Sequence, residues 1–253
     1  MDPGLSREAV YYEGLRVLKD SGVPMGAWRL AALLRDRGVG VSQATVGRML
    51  WQMEAQGHVV RRGRDGRAIT QEGAKALEDW DRRLLQIRSH QEFISSLKFT
   101  RREELVNVLV ARRAVESETA ALAATRRTRE DLEVMKEIVA SHERLLREGS
   151  SGVEKDVAFH RALARASKNP VLAAALDVIY NDPDIGMALE YIRKKIGSRM
   201  VEDHKNLLAY VERGDSKGAR DAMTRHIDNV VRDVERYWDE VEKGRGDPGA
   251  KSS

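Results

Sequence analysis

Residues 41–70 read VSQATVGRMLWQMEAQGHVVRRGRDGRAIT, and a change of period inside this stretch decides the N-terminal fold. Ser42 is a good N-cap for a helix over 43–56. Val46, Leu50 and Met53 are its inward positions, and Gln43, Ala44, Thr45, Gly47 and Arg48 form the exposed start. After Gly57 the pattern switches to two short strands, 58–62 and 67–70. They flank Gly63-Arg64-Asp65-Gly66, a hairpin turn with glycines where positive φ is needed.

Working outward, Ser6 caps a helix to about Lys19, and Ser21-Gly22-Val23-Pro24 breaks it. A second helix covers 27–37, with Trp28, Leu30, Ala31, Leu33 and Leu34 among its apolar positions. Helix, helix, turn, helix and an arginine-rich hairpin is the order of a winged helix-turn-helix, whose third helix is sized for a major groove. Charge agrees. From Arg29 to Thr70 there are eight arginines against three acids, although the whole chain carries only +4. A basic patch confined to one segment is the footprint of nucleic-acid binding. Gln43, Thr45 and Arg48 are the candidates for base or phosphate contact, and Arg61, Arg62, Arg64 and Arg67 for the wing. Trp28 and Trp51 are read as core residues. Winged helices also dock proteins, so a protein partner is the alternative for this segment.

The segment resembles the winged-helix domain of ribonuclease R. The likeness is carried by Pro24-Met25-Gly26, Gly38, Val41-Ser42-Gln43-Ala44-Thr45-Val46-Gly47-Arg48, Gly57, Gly66-Arg67 and Ile69-Thr70-Gln71-Glu72-Gly73.

Beyond it a polar helix starts at Thr70-Gln71-Glu72-Gly73, and a segment of weak period follows at 89–100. The expected organisation is a winged helix-turn-helix over 1–80, a helical linker over 81–100, a helical domain over 101–243 and a disordered tail over 244–253. The linker's stiffness is open. From 101 onward no strand alternation appears. Helical periodicity recurs over 103–125, 128–148, 152–166, 170–180, 184–197, 200–212 and 216–241. The fold class is therefore mainly α: a winged helix-turn-helix followed by an antiparallel bundle of about six to seven helices.

The 253 residues contain no cysteine, which leaves His, Asp and Glu as the strong metal ligands. Asp156 and His160 are four apart, on one face of one helix, while His204 and His226 lie in later helices. Three imidazoles and a carboxylate suit Zn²⁺, Ni²⁺ or Mn²⁺. Spacing alone also allows ordinary hydrogen-bonded core histidines.

The helical region resembles the ligand domain (FCD) of FadR-type regulators of the GntR family. The matching residues are Asp156-Val157-Ala158-Phe159-His160, Ala166-Ser167-Lys168-Asn169-Pro170, His204-Lys205-Asn206-Leu207-Leu208, Gly214-Asp215 and Met223-Thr224-Arg225-His226, preceded by Arg112-Arg113-Ala114-Val115-Glu116. The resemblance implies a divalent metal on Asp156, His160, His204 and His226, and a small carboxylate effector near Arg112 and Asn229. The bland reading of Arg112 is a helix-surface pair with Glu116. Two departures stand out: the winged helix is not the usual GntR type, and Tyr180-Asn181-Asp182-Pro183-Asp184 breaks a region the family continues as helix.

The resulting expectation is a ligand-responsive transcription regulator that binds double-stranded operator DNA as a homodimer. It is expected in the cytoplasm without membrane association, because no apolar run approaches the roughly 18 residues of a span and no signal pattern opens the chain. The rival is a metal-dependent hydrolase or other metalloenzyme with a winged-helix interaction domain. His142-Glu143-Arg144-Leu145-Leu146 has the first half of a zincin motif and lacks its second histidine, and no histidine has a glutamate three residues before it.

Overall fold

The structure is a computed structural model that describes residues 6–198 and 200–245. It divides into two compact units, Met1–Gln91 and Glu92–Ser253. Beyond Arg245, the tail expected at 244–253 lies outside the described residues.

In the first unit, α1 (Arg7–Ser21), α2 (Ala27–Asp36) and α3 (Gln43–Ala55) precede β1 (Val59–Arg61) and β2 (Arg67–Ile69). Ser6 accepts from the Ala9 amide and Ser42 from the Thr45 amide, so both predicted caps satisfy backbone donors a helix start leaves open. Leu15, Leu18, Leu30, Leu34, Val46, Leu50 and Met53 make one buried core. The strands pair antiparallel with Val59 opposite Ile69 and Arg61 opposite Arg67. Gly66 has φ +113°, and a Cβ there would stand 2.1 Å from the Met25 backbone carbon. Only glycine fits, because Met25 exchanges both its backbone hydrogen bonds with Arg67 and draws the hairpin against the chain entering α2.

Both tryptophan expectations are overturned. Trp28 is 72% and Trp51 69% exposed. Helical phase gives the reason. Trp28 shares its face with Arg35, seven residues on, and Trp51 shares its face with Ala44, Arg48 and Ala55, all exposed. Apolar character alone put them inside.

A long helix, α4 (Gln71–Ser96), contains the boundary between the units, so the segment expected as linker is helical as far as Ser96. Among the described residues, seven further helices follow in the second unit: α5 (Arg102–Arg126), α6 (Arg129–Arg147), α7 (Val153–Ala166), α8 (Pro170–Tyr180), α9 (Pro183–Ile196), α10 (Met200–Arg213) and α11 (Ser216–Arg245). Their starts are locally encoded. Thr128 and Asp131 form a capping box, and Asn169 and Asp182 cap helices that have proline in the first turn. The break at 181–183 is therefore a cap followed by a new helix. α5 and α11 pack along each other at the centre, with α7, α8 and α10 also against α5. The mainly α class, with a small two-stranded sheet confined to the wing, is what the sequence pattern predicted.

Candidate metal centre and ligand cavity

The buried stripe of α5 runs Leu105, Leu109, Arg112, Glu116, Ala120, Ala123, so helical period carries two charged residues into the core. Neither is a surface residue: Arg112 is 2% and Glu116 0% exposed. The surface-pair reading of these two is thereby corrected. Arg112 Nε donates to Glu116 Oε1 at 2.7 Å, and its Nη2 donates to the Tyr180 hydroxyl. Tyr180 in turn donates to Glu116 at 3.2 Å. Burial works against the Glu116 carboxylate, but Arg112 and His160 outweigh it and bring its pKa to about 2.

Three buried histidines meet beside this group. His160 comes from α7, His204 from α10 and His226 from α11, with one donor atom of each within 4.8 Å of the others. Asp156, one turn before His160 on α7, places Oδ1 3.9 Å from His160 Nε2 and 3.5 Å from His204 Nε2. The four residues expected as ligands are thus brought together. Their outer atoms are held as well. His160 Nδ1 lies 2.5 Å from Glu116 Oε2, off the line of a well-aligned hydrogen bond. His226 Nδ1 donates to Asp203 Oδ2 at 3.3 Å. A carboxylate at Nδ1 keeps the proton there and turns the Nε2 lone pair inward.

The protonation states fit a cation. Burial, then the neighbouring His226 ring, pushes His204 well below the ordinary imidazole range, and burial lowers His226. Burial would raise Asp156, but His160, His204 and Arg112 outweigh it and hold the carboxyl below its usual range. Neutral imidazoles around an ionised carboxylate are the ligand-ready forms. Asp156 Oδ1, His160 Nε2 and both ring nitrogens of His204 are buried without a hydrogen-bond partner. Buried polar atoms are rarely left so, and a divalent ion bound by nitrogen and oxygen donors answers the need.

A cavity of about 610 Å³ opens onto this cluster, and Arg112, Asp156, Tyr180 and His226 line it. Asn229 is placed elsewhere. It donates to Asp203 at 3.1 Å and borders a smaller cavity with Asp203 and Asn206, not the large one. Sequence reasoning missed Glu116 and Asp203 as supports of the histidines, and gave no site role to His142 and Arg193, which also line the large cavity. The position of His142 held a signal: Met135, Val139 and His142 are one buried stripe of α6.

In the first unit, Gln43, Arg48, Arg61, Arg62 and Arg64 are exposed and Thr45 is half-buried. Thr45 Oγ1 accepts from Arg48 Nη2 at 3.3 Å. Arg67 is occupied differently, bound to Glu54 on α3 with Nε to Oε2 at 2.8 Å.

Comparison with known proteins agrees with this division. The FCD domain model matches residues 107–229, and the Ribonuclease R winged-helix domain model matches residues 12–77. Among curated relatives, the HTH-type transcriptional regulator LutR of Bacillus subtilis is 28% identical over 157 residues, covering 58% of this chain and 69% of LutR. The putative L-lactate dehydrogenase operon regulatory protein of Escherichia coli is 30% identical, over 52% of each chain. Over residues 107–229 the chain is similar to the FCD domain. The Exu regulon transcriptional regulator of E. coli is a further relative, 27% identical over 75% of this chain and 69% of its own. Against several curated relatives the chain spans only about half their length. Two GntR structures are also similar, each at 20% identity. One, from Pseudomonas syringae, has a TM-score of 0.48 and covers 94% of this chain and 88% of its own. The other, from Streptococcus agalactiae, has a TM-score of 0.44 and covers 89% and 98%. The curated relatives named here all carry regulator titles. Among the described residues, no helix is long and apolar enough to cross a membrane.

Proposed function

We propose that the chain is a cytoplasmic one-component transcription regulator, in which the winged helix binds double-stranded operator DNA and the helical unit senses a small carboxylate through a divalent metal. The observation that carries this reading is the convergence of Asp156, His160, His204 and His226, in which Asp156 Oδ1, His160 Nε2 and both ring nitrogens of His204 are buried without a hydrogen-bond partner. These four residues hold the ion, whether Zn²⁺, Ni²⁺ or Mn²⁺. When bound, the ion supplies a Lewis-acidic anchor for a carboxylate oxygen. Arg112 stands at the same cavity, where its guanidinium faces the effector with Tyr180 and Glu116 fixing its orientation. Asn229 acts through Asp203 and His226 in this reading, because it lies outside the large cavity.

On the DNA side, Gln43, Thr45 and Arg48 reach base edges or phosphates from α3, and Arg61, Arg62 and Arg64 reach phosphates from the wing. Arg67 braces the wing on α3 through Glu54. Two-fold operators are read by two-fold proteins, which makes a homodimer the working assembly. The effector acts by favouring one conformation of the helical unit, and a coupling of about 1–3 kcal/mol makes a useful switch.

Native mass spectrometry with metal analysis of the purified full chain tests the reading. A dimer carrying one divalent ion per chain is expected, and His204→Ala should lose the ion while operator binding survives. A folded protein that takes up none of Zn²⁺, Ni²⁺ or Mn²⁺ would overturn it.

A further inference from the structure

Exposure along α3 is ordered by helical phase. The buried Val46, Met49, Leu50 and Met53 centre on one direction. At about 100° per residue, the exposed Ala44, Arg48, Trp51 and Ala55 all lie within about 30° of the opposite direction. Gln43 and the half-buried Thr45 fall on the flanks of this ridge. The Thr45 hydroxyl is already engaged, 2.9 Å from Ser42 Oγ and accepting from Arg48 Nη2 at 3.3 Å. The ridge therefore carries two side chains with reach, Arg48 and Trp51, and alanines too short to hold a partner away. Trp51 is 69% exposed, a broad apolar face left in water. Glu54 is the one acid in the α3 sequence, and Arg67 of the wing binds it at 2.7 Å. The ridge keeps a positive sign.

We propose that Trp51 is a specificity-determining residue whose indole face seats on the C5-methyl of a thymine in the major groove, one or two base pairs from a guanine taken by Arg48. The inference rests on the operator-binding reading above and names a base feature within it. An indole has a single N–H donor and no acceptor, so most of its surface is matched by an apolar group alone. The thymine methyl is the apolar feature that base edges present in the major groove, and an arginine fork suits guanine O6 and N7. Spacing agrees. Trp51 stands three residues beyond Arg48, about 4.5 Å along the helix axis, against about 3.4 Å per base step. A protein partner would have to bring acids against Arg48, Arg61, Arg62 and Arg64, all exposed. Duplex DNA supplies that charge as phosphate and offers the methyl beside it.

Selection of bound duplexes from a randomised library by the full chain, followed by fluorescence anisotropy on the selected sequence, tests this. Each thymine is replaced singly by deoxyuridine, which removes the methyl and keeps the pairing. At least one replacement should weaken wild-type binding by about fourfold, the worth of one buried methyl. The same replacement should weaken Trp51→Ala by less than about twofold, with the melting curve of the variant unchanged. Wild-type binding that no deoxyuridine weakens overturns the proposal, and that comparison needs no variant to fold. A Trp51→Ala protein that keeps every wild-type deoxyuridine penalty also overturns it, and leaves this face to a protein partner. Selected duplexes that share no sequence overturn this proposal alone. Failure to bind any duplex overturns the operator reading and this proposal with it.

Discussion

The two units of this chain keep their working residues in opposite places. In the winged-helix unit the buried core holds no charged side chain among the described residues, and the candidate contacts, Arg48, Arg61, Arg62 and Arg64, stand on the outside. In the helical unit the working residues are inside: Arg112, Glu116, His142, His160, Arg193, His204 and His226 are all buried. A surface site is cheap to keep, because water solvates each charge. An interior site must satisfy each polar atom by a neighbour, an ion or a ligand. Substitutions at the two sites should therefore fail in different ways.

The largest expected effect is at Glu116. Glu116→Gln leaves Arg112 buried without its counter-charge and should destabilise the helical unit by about 3–5 kcal/mol in denaturant melts. The apolar double variant Arg112→Met/Glu116→Leu should recover most of that loss. A single-variant cost below about 1 kcal/mol would mean the pair behaves as a surface bridge and the contrast between the units fails.

Removing metal comes next. With free ion at about 100 times its dissociation constant, chelation should cost about 2.7 kcal/mol. The loss should appear in the melting of the helical unit and leave the winged helix unmoved. A shift of both transitions would break the distinction.

At the outer site the order reverses. Arg64→Ala should change stability by less than about 0.5 kcal/mol yet lower the salt slope of DNA binding by about one contact. Arg48→Ala should cost about 1–3 kcal/mol of operator affinity if it reads a base edge. Fluorescence anisotropy at several salt concentrations separates the two effects.

The smallest effect is spectroscopic. Trp28 and Trp51 are exposed, whereas Trp80 and Trp238 are half-buried. Trp28→Phe and Trp51→Phe should each remove red-shifted emission and leave the melting curve in place. A large loss of stability in either would return these side chains to the core.

How much could be read in advance follows the same line. Ser42, Gly66 and the arginines of 61–67 were legible because caps, turns and exposed charge are local properties. Trp28 and Trp51 are exposed because helical phase, and not apolar identity, sets which face a side chain occupies. The surface-pair alternative for Arg112 and Glu116 is excluded by a signal present in the sequence, since they follow Leu105 and Leu109 at helical spacing. His142 was noticed only as half of an enzyme motif. Asp203 held no signal, since its role depends on His226, 23 residues later and on another helix.

The sequence by itself determined the elements: their caps, their breaks at Gly and Pro, the basic wing, and which helix faces are apolar. These depend on each residue and its neighbours within a turn or two. Only the tertiary structure decided that Asp156, His160, His204 and His226 meet, that Glu116 and Asp203 orient the rings, and that Asn229 stays outside the large cavity. Periodicity fixes the direction of a side chain about its own helix axis. It leaves free which other helices are packed against that face, and the metal-ligating geometry exists only once α7, α10 and α11 have been packed around α5.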